Sequence, residues 1–363
     1  IGYNFWSGVP CSYFSNLINW AISNTQYIAA VNEGDGIACA AGAFLGGAKP
    51  VVIMQNSGLT NALSPITSLT SVYRIPVLGF VSLRADEPQH KLMGSITEAL
   101  LDLIKTPWVY LSEDITESLQ QVNEADKIIQ NGDSFFFVVK KGTFDKIPSV
   151  SHTDIMEKKG HHVLKRKTKI DQKPLRRDVL KALSEVRETS TIFMSTTGYT
   201  SRELFESGDS ISNFYMFGSM GCISSCALGF SLMQTTLNVV AFDGDGSLLM
   251  RLGSLSTIAR YRPENMLHLL LNNGSYESTG CQATTASNTD FVQVAKNCGY
   301  CRSLHVHTIG ELINLFKEWQ CNPALTFVHL PTAEGVSKTL SRPTISPPIL
   351  AQRLRKFVTQ RRS

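Results

Sequence analysis

No apolar stretch in these 363 residues reaches the roughly 18 residues that a membrane-spanning helix needs. The opening Ile1-Gly2-Tyr3-Asn4-Phe5-Trp6 lacks the basic region and apolar run of a secretory signal. The chain is therefore expected to be cytoplasmic, with no membrane partner. Strong charge of either sign is also missing. A net charge of +4 is too small to imply nucleic acid and does not repel an anionic substrate. Of eight cysteines, only Cys298 and Cys301 have suggestive CxxC spacing. A single CxxC lacks the second pair that a zinc site needs, so these thiols are read as buried or incidental. What remains, at 43% hydrophobic and 18% charged, is an ordinary globular composition long enough for two domains.

Short apolar runs of strand length occupy 51–54, 76–81 and 135–139, with helix-like segments near 11–22, 34–47, 91–104 and 115–130. The second half repeats the alternation, with strands at 191–194, 239–242, 266–271 and 325–330. Helices are expected there near 200–207, 221–234, 247–260, 288–297 and 309–319. Continuous apolar strands between amphipathic helices imply parallel sheets covered on both faces. The expected fold is α/β: two doubly wound parallel-sheet domains, 1–148 and 178–363, with no middle domain. The basic stretch 149–177 carries little apolar periodicity and no interleaved aromatics, so it reads as a solvated linker rather than a nucleic-acid arm.

Chemistry concentrates between Val239 and Asn273. One strand ends in Asp243-Gly244-Asp245-Gly246-Ser247, a helix follows, and a second strand ends in Asn272-Asn273-Gly274-Ser275. Both motifs fall at the carboxyl ends of strands, where open parallel sheets bind ligands. Glycines admit a phosphate close to the backbone, and the next helix N-terminus favours its charge. Asp245, Asn273 and a nearby carbonyl form a hard-oxygen set suited to Mg²⁺ shared with a diphosphate.

This cassette resembles the diphosphate-binding motif of thiamin diphosphate enzymes, which opens with GDG and closes with NN. Further segments resemble the phosphonopyruvate decarboxylase family: Met54 to Leu59, Asp86 to His90, Thr196-Thr197-Gly198, Ser201 to Phe205, Gly218-Ser219-Met220-Gly221 and Glu277 to Gly280. The related sulfopyruvate decarboxylases share several of them. The resemblance covers nearly the whole chain and implies a pyrimidine-binding domain followed by a diphosphate-binding domain. It implies Asp245, Asn273 and the Ser275 carbonyl as metal ligands, and Ser247 at the diphosphate. Thr197, Gly198, Gly218, Ser219, Gly244 and Gly246 complete the cofactor contacts.

The same resemblance gives Glu33, in Val31-Asn32-Glu33-Gly34, the task of hydrogen bonding the pyrimidine ring so that its amine can accept a proton. Taken alone, Glu33 reads as a first-turn residue complementing a helix dipole. Met220 is implied beneath the cofactor, holding its two rings in a folded shape, where an isolated Met reads as core. Cys222 stands where some relatives have histidine. The implied reaction is non-oxidative decarboxylation of 3-phosphonopyruvate to phosphonoacetaldehyde through the cofactor's C2 carbanion. His90 is assigned as proton donor or substrate-orienting group, since histidine titrates near neutrality. Ser57, Arg84 and Gln89 join it as candidates to hold an anionic 2-oxo acid. Lys338 and Arg342 resemble a closing segment over the site. In this class the two domains meet across subunits, so a homodimer or higher homo-oligomer is implied. A sulfonate substrate, or a carboligase reaction yielding a ketol, are the alternatives.

Overall fold

The computed structural model describes residues 1–145, 172–337 and 339–361. It divides into two compact units, Ile1–Ile155 and Met156–Ser363. Most of the linker expected over 149–177, and Lys338, lie outside the described residues. Among those that are described, no helix is long and apolar enough to cross a membrane.

The first unit is a six-stranded parallel sheet. Its strands are β1 (Phe5–Gly8), β2 (Gln26–Ala29), β3 (Pro50–Gln55), β4 (Leu78–Ser82), β5 (Trp108–Tyr110) and β6 (Phe135–Val139). They are ordered β2-β1-β3-β4-β6-β5. Alternate residues of each strand feed opposite cores. Val51, Ile53, Phe80, Phe135 and Phe137 pack against Trp6, Phe14 and Ile18 on one face. Val52, Met54, Val81, Phe136 and Val138 pack against Ile37, Leu59 and Leu101 on the other. The chain reverses direction across the sheet between β1 and β3, which opens a crevice at their carboxyl ends.

The helix Glu33–Leu45 reaches that crevice because it is built of small residues. A β carbon on Gly36 would come within 3.2 Å of the Gly8 Cα. Ser7 Oγ donates to the Gly36 carbonyl at 2.7 Å, pinning the helix to β1. Asn32 caps it by accepting from the Gly34 amide at 2.8 Å. Glu33 is thereby fixed as the first helical residue after β2.

The second unit holds β7 (Thr191–Ser195), β8 (Asn213–Tyr215), β9 (Asn238–Gly244), β10 (Met266–Asn272), β13 (Arg302–His305) and β14 (Thr326–Pro331). A small antiparallel pair, β11 (Ser275–Tyr276) and β12 (Gln282–Ala283), follows the β10 loop. The main sheet is parallel, ordered β13-β14-β10-β9-β7-β8, and its reversal lies between β7 and β9.

Two sequence expectations change, and one helix is present where none was expected. The helix placed at 247–260 is two helices, Asp245–Met250 and Ser254–Tyr261, broken where Arg251 leaves helical geometry at φ −138°. The linker ends sooner than 177, because Arg176 is buried and opens the helix Arg176–Glu185. Asn56–Pro65 is helical despite Gly58 and Pro65, since Leu59 and Ala62 are buried there. At the chain's end, the helix Pro347–Gln360 buries Leu350, Leu354 and Val358. Arg353 ties it down through both Asp209 oxygens, at 2.5 and 2.9 Å.

Candidate active site

Four loops at the carboxyl ends of β7, β8, β9 and β10 converge on one cavity. Its lining includes Thr197, Gly198, Met220, Gly244, Asp245, Gly246, Ser247, Asn273 and Ser275. These nine residues, singled out in sequence from four separate stretches, thus share one cavity beside the sheet's reversal point. Gly218 and Ser219 sit on the flanking loop, held by the Thr197 hydroxyl, which donates to the Phe217 carbonyl at 2.9 Å.

Ser247 is the knot of the site. Its hydroxyl lies 2.9 Å from Thr196 Oγ1 and accepts from the Gly221 amide at 3.1 Å. It therefore ties the cassette to both neighbouring loops. Ser219 is a non-glycine residue at φ 51°, a left-handed conformation that costs energy and recurs at functional loops. Met220, next to it, is half-buried with its flank on the cavity. Gly246 is required by shape: a β carbon there would sit 2.3 Å from Tyr276 Cε1.

Asp245 is 2% exposed. Burial pushes its carboxyl up from the ordinary range, against hydrogen bonds that include one from the Thr284 hydroxyl at 2.5 Å. A buried carboxylate whose hydrogen bonds do not offset its burial is a place where a cation is stabilising. Asn273 donates through Nδ2 to Glu277 Oε2 at 3.2 Å, and its Oδ1 accepts from the Ser275 amide at 3.0 Å. Among the described residues, no three His, Cys, Asp or Glu side chains are grouped to hold a metal. The Asp245 carboxylate and the Asn273 amide oxygen are hard-oxygen groups of the kind that fit a cation shared with a ligand's oxygens.

In the first unit, the Glu33 carboxyl lies over Gly58 and accepts from Asn61 Nδ2 at 2.9 Å. It is half-buried, on its own unit's surface. Arg84, a candidate to hold the anionic substrate, is half-buried and paired. It reaches Glu87 Oε1 at 2.5 Å and Gln55 Oε1 at 3.1 Å, and lies over the Tyr13 ring. The hydrogen bond to Arg84 holds the Glu87 carboxyl below its usual range. Gln55 donates onward to Ser57 Oγ at 2.7 Å, so Ser57 and Arg84 belong to one network. His90 ends the short helix Pro88–His90 and is half-buried; Gln89 is exposed.

Residues 196–330 match the family model described as "Thiamine pyrophosphate enzyme, C-terminal TPP binding domain". Over 97% of this chain and 91% of the relative, the sequence is 39% identical to phosphonopyruvate decarboxylase of Streptomyces viridochromogenes. The chain belongs to the phosphonopyruvate decarboxylase family. Sulfopyruvate decarboxylase of Methanosarcina acetivorans is 30% identical over 89% of this chain and 86% of that one. The fold is also that of benzoylformate decarboxylase from Polynucleobacter necessarius, with TM-score 0.71, 14% identity and coverage of 92% and 96%. The matched stretch 196–330, described as a thiamine pyrophosphate binding domain, includes most of the residues that line the β7–β10 cavity.

Several cavity residues went unseen in sequence, Arg176, Tyr199 and Tyr276 among them, and Glu277 stood out only as the start of a resembling segment, with no role. Arg176 was assigned to the linker by its basic neighbours. Its guanidinium is instead buried between Glu203, at 2.6 Å, and Glu277, at 3.1 Å. Burial pushes the Glu203 carboxyl up, and Arg176 opposes that shift. Thr284 lies far along the chain from Asp245, and nothing in its local sequence signals the contact.

Proposed function

We propose that this enzyme decarboxylates 3-phosphonopyruvate to phosphonoacetaldehyde and CO₂, using thiamin diphosphate and Mg²⁺. The observation that carries the proposal is the gathering of Gly244 to Ser247, Asn273 and Ser275 around buried Asp245 at the sheet's reversal point. When bound, the cofactor supplies a nucleophilic carbon and an electron sink for the bond that breaks as CO₂ leaves.

The residues around it divide the remaining work. Asp245, Asn273 Oδ1 and the Ser275 carbonyl hold Mg²⁺, and Ser247 with Gly244 and Gly246 contacts the diphosphate. Thr197, Gly198 and Ser219 shape the pocket wall. Met220 supports the cofactor's folded shape, and the Gly218 carbonyl accepts from its amino group. Glu33 shares a proton with the pyrimidine ring. His90 delivers a proton or orients the substrate, while Ser57, Gln89 and Arg84 face its anionic groups. The first unit is the pyrimidine-binding domain and the second the diphosphate-binding domain. Two copies pair so that Glu33 of one serves cofactor held by the other.

The test is to give the protein thiamin diphosphate, Mg²⁺ and either 3-phosphonopyruvate or sulfopyruvate. CO₂ and aldehyde are then followed. A higher kcat/KM on the phosphonate is expected. Equal or reversed preference would sink the substrate assignment, and a ketol product would sink the decarboxylase one.

A further inference from the structure

We infer that Glu277, itself gripped by Arg176, is a positioning residue that decides which end of the Asn273 amide faces the metal. This rests on the proposed role of Asn273 as a ligand. The two ends of an asparagine amide have nearly the same shape, yet only the carbonyl end binds a hard cation. A carboxylate accepts hydrogen bonds and donates none, so it takes the amide's nitrogen and rejects its oxygen. Glu277 Oε2 stands 3.2 Å from Asn273 Nδ2. The opposite end, Oδ1, accepts from the Ser275 amide at 3.0 Å and keeps a second lone pair for the ion.

Glu277 is itself held by an ion pair on one side and a main-chain hydrogen bond on the other. Arg176 Nη2 lies 3.1 Å from the oxygen that meets Asn273, and the Gly335 amide donates to the other oxygen at 2.7 Å. The Glu277 side chain is 9% exposed, as is that of Arg176. Arg176 binds a second carboxylate, Glu203, whose side chain is 1% exposed. Removing Glu277 therefore leaves a one-to-one Arg176–Glu203 pair, which is compatible with folding. Removing Arg176 would strand two buried carboxylates, which makes it the poorer test.

The experiment titrates Mg²⁺ into apo protein at fixed thiamin diphosphate, with binding read by calorimetry. Glu277→Ala is expected to raise the Mg²⁺ needed for half-saturation about 10- to 100-fold, the usual effect of losing a ligand's supporting partner. Glu277→Gln still presents an acceptor to Asn273 and is expected to recover most of the affinity. Asn273→Asp has two equivalent oxygens and needs no orienting. In that background Glu277→Ala should cost no affinity, an outcome that a merely structural role for Glu277 would not produce. Should Glu277→Ala fail to fold, Glu277→Met keeps the volume and carries the same comparison. An unchanged Mg²⁺ requirement in Glu277→Ala, beside a weakened Asn273→Ala, overturns the inference alone. So does an equal loss in the Asn273→Asp background. An unchanged requirement in Asn273→Ala overturns the metal role of Asn273 itself.

Discussion

Gly58 leaves the gap that the Glu33 carboxyl occupies, and alanine at this position separates catalysis from stability. A β carbon there would lie 2.2 Å from Oε1, 2.3 Å from Cδ and 2.5 Å from Cγ of Glu33. Carbon contacts settle near 3.5–4.0 Å, so the whole carboxyl must retreat by roughly 1 Å or more. Because Glu33 is half-buried and held by a side-chain hydrogen bond from Asn61, it can swing away without disturbing the core. The lost hydrogen bond costs about 0.5–1.5 kcal/mol. Alanine in the helix Asn56–Pro65 returns up to about 1 kcal/mol relative to glycine.

Stability should therefore fall by no more than about 1.5 kcal/mol, whereas a misplacement of about 1 Å at a reacting group costs on the order of 100-fold. The assay is kcat at saturating thiamin diphosphate, Mg²⁺ and substrate, beside the thermal midpoint of the same preparation. A folded Gly58→Ala enzyme with wild-type kcat would refute the placement of Glu33 in the proton relay. A variant that simply unfolds would refute the claim that the carboxyl can move freely.

Gly8→Ala should behave in the opposite way. Its β carbon would come within 1.9 Å of the Ile53 carbonyl oxygen, a backbone atom that cannot step aside, so a loss above about 4 kcal/mol is expected in urea denaturation. His329 supplies a pH dependence. Burial, then the charge of His305, lowers its pKa from 6.5 to about 4, while the unfolded chain keeps the ordinary value. The stability this contributes is fully present above 6.5 and is lost as pH falls toward about 4. The loss is at most ~3 kcal/mol at 1.36 kcal/mol per unit. Denaturation at pH 7 and 4.5 should show a smaller difference in His329→Asn than in wild type.

The sheets were legible where strands are long apolar runs such as Phe135 to Val139, with no polar interruption, whereas the short buried strand Phe5–Gly8, which carries Ser7, was missed. The edge strand Arg302-Ser303-Leu304-His305 was not legible either: it is half polar because one side has no neighbouring strand. The cassette was legible because both of its motifs sit next to long apolar strands. The residues that support it were hidden for one reason. Arg176, Glu203 and Thr284 gain their meaning from partners distant in sequence, and a buried arginine in a basic stretch looks like any solvated one. The partners of Arg84 were hidden similarly, since only the fold brings Gln55 and Tyr13 to its guanidinium. The helix Asn56–Pro65 forms against its own propensities, through burial of Leu59 and Ala62.

The central claim is that the Gly244–Asn273 cassette holds a diphosphate through a metal bound at Asp245. Calorimetric titration of thiamin diphosphate into apo protein, with Mg²⁺ or with chelator, measures it directly. Wild type should bind only with Mg²⁺, and Asp245→Asn should lose that Mg²⁺-dependent binding while remaining folded. Asp245→Asn protein that binds as tightly as wild type, with the same Mg²⁺ dependence, would contradict the account.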